Sequence, residues 1–137
     1  MKDREAGCPF CGEFAEKRCI DREGSVLAVR DRYPVTPLHT LVVPQRHVAD
    51  CFDLLPEEKA DADRLLRRLR KAILEEDPSV TGFNVGVNCG ASAGQTIMHV
   101  HIHLIPRRDG DIANPRGGVR GAIPERMDYF CGEESPS

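Results

Sequence analysis

The sequence predicts an α+β domain built on an antiparallel sheet, and two patterns support this prediction. Short aliphatic segments are separated by turn residues, as in strands joined by hairpins. One long segment, beginning at Pro56, instead repeats its aliphatic residues at helical spacing. Strands interrupted by a single long helix are typical of the α+β class, in which the helix packs on the sheet.

The first half of the chain contains two predicted strands. Residues 25–30 and 39–43 are rich in Val and Leu, and a turn bounded by Pro34 and Pro37 separates them. Pro44 should end the second strand, because proline cannot donate to a sheet ladder. A short helix is expected around residues 48–53.

The long helix is predicted to begin at Pro56, since proline is common at the first helical position. Leu55 is a poor capping residue at its start. Acidic residues lie near the start and basic residues near the end, which suits the helix dipole. We interpret Arg67, Arg68 and Arg70 as a solvated face, with a phosphate-binding patch as the alternative. The predicted buried stripe comprises Ala62, Leu65, Leu66, Leu69, Ala72 and Ile73.

Residues 82–105 are predicted to form a hairpin. Phe83, Val85 and Val87 alternate with polar or small residues, and a small-residue turn over residues 89–94 leads into a strand over residues 95–105. Residues 107–137 are rich in Gly, Pro and charge and are expected to wrap as an extended tail. Residues 1–7 are expected to be mobile, and residues 1–137 to form a single domain.

Composition narrows the function classes. The net charge of −3 argues against a dedicated binder of duplex nucleic acid, and no apolar run approaches a membrane span. The first residues lack the apolar stretch of a signal peptide, so a cytoplasmic protein is expected. In that compartment the six cysteines are not expected to form disulfides. Cys19, Cys51, Cys89 and Cys131 show no pairing pattern and are interpreted as free thiols.

Three of the five histidines, His99, His101 and His103, occupy every second position of the last predicted strand. Alternate side chains of a strand point to opposite faces, so one face carries three imidazoles and the other carries aliphatic residues. Core packing alone is a poor explanation for three such histidines. A single metal ion bound by all three is also disfavoured, because the outer two Cα atoms are about 13 Å apart in a strand. Separate roles for the three rings fit better.

This pattern resembles the signature of the histidine triad (HIT) superfamily of nucleotide hydrolases and transferases. The resemblance also covers Cys8-Pro-Phe-Cys11, residues 37–47, residues 82–111 and residues 115–124, in the family's order. Residues 115–120 are most similar to the tail of the dinucleoside polyphosphate hydrolase-like branch. The resemblance implies a five-stranded antiparallel meander with one long helix packed on it, and a homodimer formed through that helix and the strand beside it.

The resemblance also implies roles for the site residues. His101 would be the nucleophile that forms a covalent nucleotidyl-histidine, and His103 would donate a hydrogen bond to the α-phosphate. Imidazole suits this chemistry because much of it is unprotonated at neutral pH. Gln95 and Thr96 match contacts to the phosphate and leaving group, and Asn88 matches a further phosphate contact.

Further matches are less specific. Asp31 corresponds to the carboxylate that binds ribose hydroxyls, with a turn residue as the alternative. His39 would orient or tune the triad, or serve only the structure of its strand. Leu27 and Val29 could line an apolar slot for the base. Residues 115–120 could hold a distal phosphate, or form a surface turn.

Cys8 and Cys11 have the spacing that lets two thiolates bind one zinc ion, and histidines would have to complete a tetrahedral set. In some relatives a later histidine and the first histidine of the triad complete it; here these are His47 and His99. The alternative is two reduced thiols in a turn. No organic cofactor is expected.

The expected function is hydrolysis at the α-phosphate of a nucleoside conjugate, with release of a nucleoside monophosphate such as AMP. Dinucleoside polyphosphates and nucleoside phosphoramidates are the expected substrates. One alternative is a nucleotidyltransferase or phosphorylase, in which phosphate replaces water as the acceptor. The other is a nucleotide-binding signalling module with little turnover. No membrane partner or duplex nucleic acid is expected.

Overall fold

The computed structural model describes residues 5–128 and shows a five-stranded antiparallel sheet with two α-helices. The strands are β1 (Cys19–Glu23), β2 (Val26–Arg30), β3 (Thr40–Pro44), β4 (Val80–Gly86) and β5 (Ile102–Arg108); the helices are α1 (Gly12–Arg18) and α2 (Pro56–Glu76). The sheet order is β1-β2-β3-β5-β4, and the predicted α+β class is confirmed. The order departs from a simple meander, because β5 returns between β3 and the edge strand β4.

The sheet is covered on both faces, which explains why every residue of β3 is buried. On one face, α2 packs through Leu65, Leu69 and Ile73 against alternate residues of β2 and β3. On the other face, the N-terminal segment with Phe10 and Ala15 covers the remaining alternate residues. Strands buried on both faces have nearly continuous aliphatic sequences, as β2 and β3 do here.

The start of α2 compensates for its poor capping residue. The carboxylate of Glu58 accepts a hydrogen bond from the Leu55 N–H at 2.8 Å, and the Arg46 guanidinium pairs with the same carboxylate. Farther along, Arg67 pairs with Asp63 on the helix surface, and Arg68 pairs with two carboxylates of β1. The solvated face predicted for these arginines is therefore observed, and the salt bridges of Arg67 and Arg68 are additional to that prediction.

Two local predictions need correction, and two elements were not predicted. The triad strand begins at Ile102, not at residue 95, because residues 95–101 form a loop and an extended segment outside the ladder. The predicted helix near residues 48–53 is a single 3-10 turn over Cys51–Asp53. Helix α1 and strand β1 are additional to the predicted elements.

The C-terminal part of the described chain contains two 3-10 helices, Gly118–Ala122 and Pro124–Arg126, between turns. The predictions of mobility over residues 1–4, of an extended tail over residues 129–137 and of a free thiol at Cys131 concern residues outside the described range. Across residues 5–128, no helix has the length and apolar character needed to cross a bilayer.

Candidate active site and metal centre

The three triad histidines lie at different depths at the start of β5. His99 is fully buried, whereas His101 and His103 line a cleft of about 240 Å³. The intervening Val100 is buried, and its N–H donates to the Val48 carbonyl at 2.8 Å, which fixes the extended segment before β5. The alternation predicted from the sequence therefore persists through a segment that is outside the ladder.

A backbone contact fixes the tautomer of His101. Its Nδ1 lies 2.8 Å from the His99 carbonyl oxygen, and because a carbonyl can only accept, Nδ1 carries the proton. The other ring nitrogen, Nε2, then has a free lone pair, and it makes no hydrogen bond within residues 5–128. The Phe10 ring lies against the imidazole, with ring centroids 5.0 Å apart. The His99 carbonyl and the Phe10 ring thus hold the His101 imidazole in place and leave its Nε2 without a hydrogen bond.

His39 and His103 form a second chain of hydrogen bonds. The Val35 N–H donates to His39 Nδ1 at 3.0 Å, so neutral His39 carries its proton on Nε2. His39 Nε2 lies 3.0 Å from His103 Nδ1 and 3.4 Å from a carboxylate oxygen of Asp31. Donation from His39 to His103 leaves the proton of neutral His103 on Nε2, where it can be donated to a ligand.

Burial keeps both rings of this chain neutral. Burial lowers the pKa of His39, and this effect exceeds that of the nearby Asp31 carboxylate, which raises the same pKa. Burial also lowers the pKa of His103, and the neighbouring His101 and His39 lower it further. At neutral pH the pair therefore remains uncharged and keeps the directed tautomers.

The turn before β3 is built to hold His39 in place. The His39 N–H donates to the Thr36 carbonyl at 3.1 Å, and the preceding residue, Leu38, has a φ of 73°. A non-glycine residue in this left-handed region costs roughly 1 kcal/mol or more, so the surrounding contacts must compensate for it. Such local strain is often found where a side chain is positioned for function.

Cys8, Cys11, His47 and His99 converge in a second cluster, which includes the first histidine of the triad. Their ligand atoms all lie within 4.8 Å of one another. His99 Nδ1 is 3.5 Å from Cys8 Sγ, 3.4 Å from Cys11 Sγ and 3.2 Å from His47 Nδ1. Zinc–sulfur bonds near 2.3 Å and zinc–nitrogen bonds near 2.1 Å give tetrahedral edges of about 3.4–3.8 Å, so this donor set fits one zinc ion.

The outer nitrogens of the two histidines support metal binding. His99 Nε2 donates to the Pro44 carbonyl at 2.8 Å, and His47 Nε2 donates to the Glu5 carboxylate at 2.8 Å. Both Nδ1 lone pairs therefore point into the cluster, which is the usual arrangement of metal-ligating histidines. Burial raises the pKa of the Cys8 thiol to about 11, so a nearby cation is needed to hold it as a thiolate at neutral pH.

A family model described as HIT domain matches residues 13–110. The chain belongs to the HIT family.

Two relatives carry enzyme names. The chain is 42% identical over 95 residues to the AP-4-A phosphorylase of Mycobacterium tuberculosis, covering 67% of this chain and 47% of that one. It is 40% identical over 80 residues to the asymmetrical bis(5'-nucleosyl)-tetraphosphatase of Schizosaccharomyces pombe, covering 58% of this chain and 43% of that one. The chain therefore spans less than half the length of either enzyme.

Among solved structures, a zinc-bound histidine triad family protein from Mycobacterium smegmatis is similar to this chain, with a TM-score of 0.69. The two chains are 33% identical, and the match covers 79% of this chain and 80% of that one. The HIT fold is thus supported by sequence and by structure. The named relatives support enzymatic activity in broad terms.

The cleft of this HIT domain brings together several of the predicted site residues. Asp31, Asn88, Thr96, His101 and His103 all line it. Asp31 also accepts a hydrogen bond from the Tyr33 N–H at 2.7 Å, so the predicted turn role and a position in the cleft coexist. His39 lies directly behind His103.

Gln95 is placed differently from the expectation, because its amide is buried within the loop before the triad. Its Oε1 accepts from the Gly90 N–H at 2.8 Å, and its Nε2 donates to the carbonyls of Ala49 and Ile97 at 2.8 and 3.1 Å. All of these bonds are to backbone groups, and Gln95 does not line the cleft. In this structure Gln95 shapes the loop that presents Thr96.

The predicted base slot and phosphate cradle also differ in the structure. Leu27 and Val29 are buried under the N-terminal segment and do not line the cleft. Neither Arg116 nor Arg120 lines it. The Arg120 guanidinium donates instead to the Arg126 carbonyl, within the turns that follow β5.

Sequence reasoning missed part of the cleft wall. Phe10, Leu41 and Ile97 supply apolar surface, and Arg18 and Arg32 supply positive charge. Burial, and then the nearby charge of Arg32, lower the pKa of Arg18. The position of Phe10 between two predicted zinc ligands was a usable signal, whereas nothing in the pattern around the arginines distinguished them from surface charges.

Proposed function

We propose that this HIT protein hydrolyses nucleoside conjugates at the α-phosphate, with dinucleoside polyphosphates or nucleoside phosphoramidates as substrates. The observation that carries the proposal is the fixed tautomer of His101, whose Nε2 lone pair is left free on a ring that lines the cleft. A nucleophilic histidine needs this arrangement, because the other nitrogen must be held by an acceptor.

The reaction would proceed in two displacements. His101 Nε2 attacks the α-phosphorus, the bond to the leaving group breaks, and a nucleotidyl-histidine forms. Water then attacks the same phosphorus and releases a nucleoside monophosphate, which restores the free imidazole. Splitting the reaction in this way replaces one difficult step with two easier ones.

The hydrogen-bond chain through His39 supports a donor role for His103. With its Nδ1 accepting from His39, neutral His103 presents its Nε2–H toward the phosphate oxygens. A preorganised donor of this kind stabilises the charge that develops on the phosphoryl group. We assign Asn88 and Thr96 as further polar contacts to the phosphate and leaving group, because both line the cleft beside the triad.

Asp31 is proposed to bind the ribose hydroxyls. It lines the same cleft, and one of its oxygens lies 3.4 Å from His39 Nε2. The apolar surface of Phe10 and Ile97 would contact the base, in place of the Leu27 and Val29 slot expected from the sequence. An adenine nucleotide is the proposed substrate moiety.

The main alternative is phosphorolysis, favoured by the similarity to a relative named AP-4-A phosphorylase. The two reactions share the first displacement and differ in the acceptor. Incubation with diadenosine tetraphosphate, with and without inorganic phosphate, separates them. Release of AMP without phosphate supports hydrolysis, whereas formation of ADP only when phosphate is present supports phosphorolysis. Tight AMP binding with no turnover of this substrate or of adenosine phosphoramidate would support a binding module.

We also propose a structural zinc ion held by Cys8, Cys11, His47 and His99. The donor spacing and the orientation of both histidines support it, as does the likeness to a zinc-bound family member. When bound, the ion supplies charge that holds the thiolates and fixes the N-terminal segment. Phe10, between the two cysteines in sequence, contacts His101, so the metal centre would also set one wall of the cleft.

A homodimer is proposed as the assembly. β4 is an edge strand of the sheet, and its Val85 is half-exposed, so this edge is suited to a second copy. Light scattering at micromolar concentration should give about twice the chain mass of 15.2 kDa. A mass equal to one chain would contradict the assignment.

A further inference from the structure

Two cysteines outside the metal cluster lie in direct contact. Cys51 begins the 3-10 turn after His47, and Cys89 follows Asn88 in the loop after β4. Their Sγ atoms are 2.8 Å apart, although 38 positions separate them in the chain. Both side chains are half-buried, so a small molecule can reach the pair. No sequence pattern indicates this pairing, because the two residues come together only through the fold.

The segments that carry these cysteines are held together independently of the sulfur atoms. The Gln95 amide bonds both to the Ala49 carbonyl and to the Gly90 N–H. One bond is thus two residues from Cys51, and the other is one residue from Cys89. The turn at Cys51 is fixed further by the Asp50 carboxylate, which accepts from the Phe52 N–H at 2.9 Å. Bond formation would therefore need only a small movement, since a disulfide requires about 2.05 Å between sulfurs.

We propose that Cys51 and Cys89 are an oxidative modification site, at which a peroxide converts the two thiols into a disulfide. Cys89 attacks the peroxide oxygen, which forms a sulfenic acid and releases water or an alcohol. The Cys51 sulfur then attacks the Cys89 sulfur, the S–O bond breaks, and the Cys51 proton leaves with the hydroxyl group as water. The two thiols lose two electrons in total, and the peroxide gains them.

The order of the steps follows from the environment of the pair. Burial and the contact with Cys89 raise the pKa of Cys51 to about 11, so Cys51 remains a protonated donor at neutral pH. Thiolates are the form that reacts with a peroxide, so the thiol that stays protonated is the slower of the two to react. The first reaction therefore falls on Cys89, and Cys51 is the resolving thiol.

The disulfide would join the two segments that border the candidate site. Cys89 adjoins Asn88, which lines the cleft, and Cys51 lies on the segment that includes His47 of the metal cluster. Closing a loop of this length restricts the unfolded chain, so the unfolding midpoint should rise by about 8–16 °C. This proposal is independent of the reaction assigned to His101.

The test uses the full chain, loaded with zinc, fully reduced and then treated with hydrogen peroxide at a small molar excess. Peptide mapping without reduction should identify a Cys51–Cys89 cross-linked peptide, and the intact mass should fall by two hydrogens. The midpoint increase should be reversed by dithiothreitol and absent in Cys51→Ser. Cys19→Ser is the matched control, because the Cys19 sulfur hydrogen-bonds to Asp21 and Arg22 and not to another cysteine, and it should behave like the wild type.

Three results would overturn the proposal. Peroxide could leave Cys51 and Cys89 reduced while it oxidises other cysteines. It could oxidise the two sulfurs separately to sulfinic acids, without a cross-link. Metal analysis could instead find a second zinc ion that is lost in Cys51→Ser, which would make the pair part of a metal site with Asp50. Mapping of the wild type decides between these outcomes even if a variant fails to fold, and Cys89→Ser provides a second variant.

Discussion

Substitution of His39 separates its role in orienting His103 from its role in the fold. Asn places an amide oxygen near the position of Nδ1, so His39→Asn can keep the bond from Val35 N–H but loses the donor to His103. Gln places an amide nitrogen near the position of Nε2, so His39→Gln can keep the donor to His103 but loses the acceptor for Val35. The two variants therefore break opposite ends of the same chain.

The expected magnitudes follow from these contacts. Either substitution disturbs one hydrogen bond of a side chain that is 2% exposed, which costs about 1–3 kcal/mol of stability. Losing the partner that orients a ligand-binding group typically reduces activity about 10–100-fold, so kcat of His39→Asn should fall by that factor. His39→Gln should stay within a few-fold of the wild type. KM should change little in either variant, because His39 is behind the cleft.

Steady-state kinetics with diadenosine tetraphosphate, together with thermal melts, measure both effects. Similar losses of stability in the two variants would show that folding does not explain the difference in kcat. The reasoning is refuted if His39→Asn turns over like the wild type, or if the two variants lose activity equally.

Three further predictions concern the metal, the loop and pH. Metal analysis should find one zinc ion per wild-type chain. Cys8→Ser should remove that ion, lower the melting temperature and reduce turnover, whereas full zinc retention would contradict the assigned cluster. Gln95→Leu leaves three backbone groups without partners, so it should cost about 2–4 kcal/mol, or roughly 8–16 °C in the melting temperature, and a change below 2 °C would contradict the role in the loop. Burial lowers the folded-state pKa of His39 and His103, so near and below pH 6.5 the unfolded chain binds protons that the folded chain does not. With zinc in excess, the free energy of unfolding should therefore be greatest above pH 6.5 and should decrease as the pH is lowered below 6.5. A melting temperature that rises as the pH is lowered would contradict the direction of both shifts.

Local periodicity predicted much of the fold and some of the site. The alternation of His99, His101 and His103 predicted separate roles for the three rings, and the structure places the rings at different depths. The helical stripe after Pro56 predicted α2, because a buried face must repeat at helical spacing. Both patterns are local, and nearby residues alone are sufficient to recognise them.

Features that depend on long-range packing were not predictable in the same way. The sequence does not show that β5 lies between β3 and β4, since that order depends on the crossover through α2. The Cys51–Cys89 contact and the side-chain bonds of Gln95 join segments that are distant in the chain. The resemblance to a family suggested a ligand role for Gln95, but the folded loop uses its whole amide for backbone contacts.

The chemistry of His101 is tested most directly by trapping the covalent intermediate. The protein is mixed with a dinucleoside polyphosphate, quenched under denaturing alkaline conditions that preserve phosphohistidine, and analysed by peptide mass spectrometry. Attack by the free Nε2 predicts the mass of one nucleotidyl group on the peptide containing residue 101, and the same experiment with His101→Ala should give neither the adduct nor turnover. An adduct on a different residue, or near-normal turnover by His101→Ala, would contradict the assignment of His101 as the nucleophile.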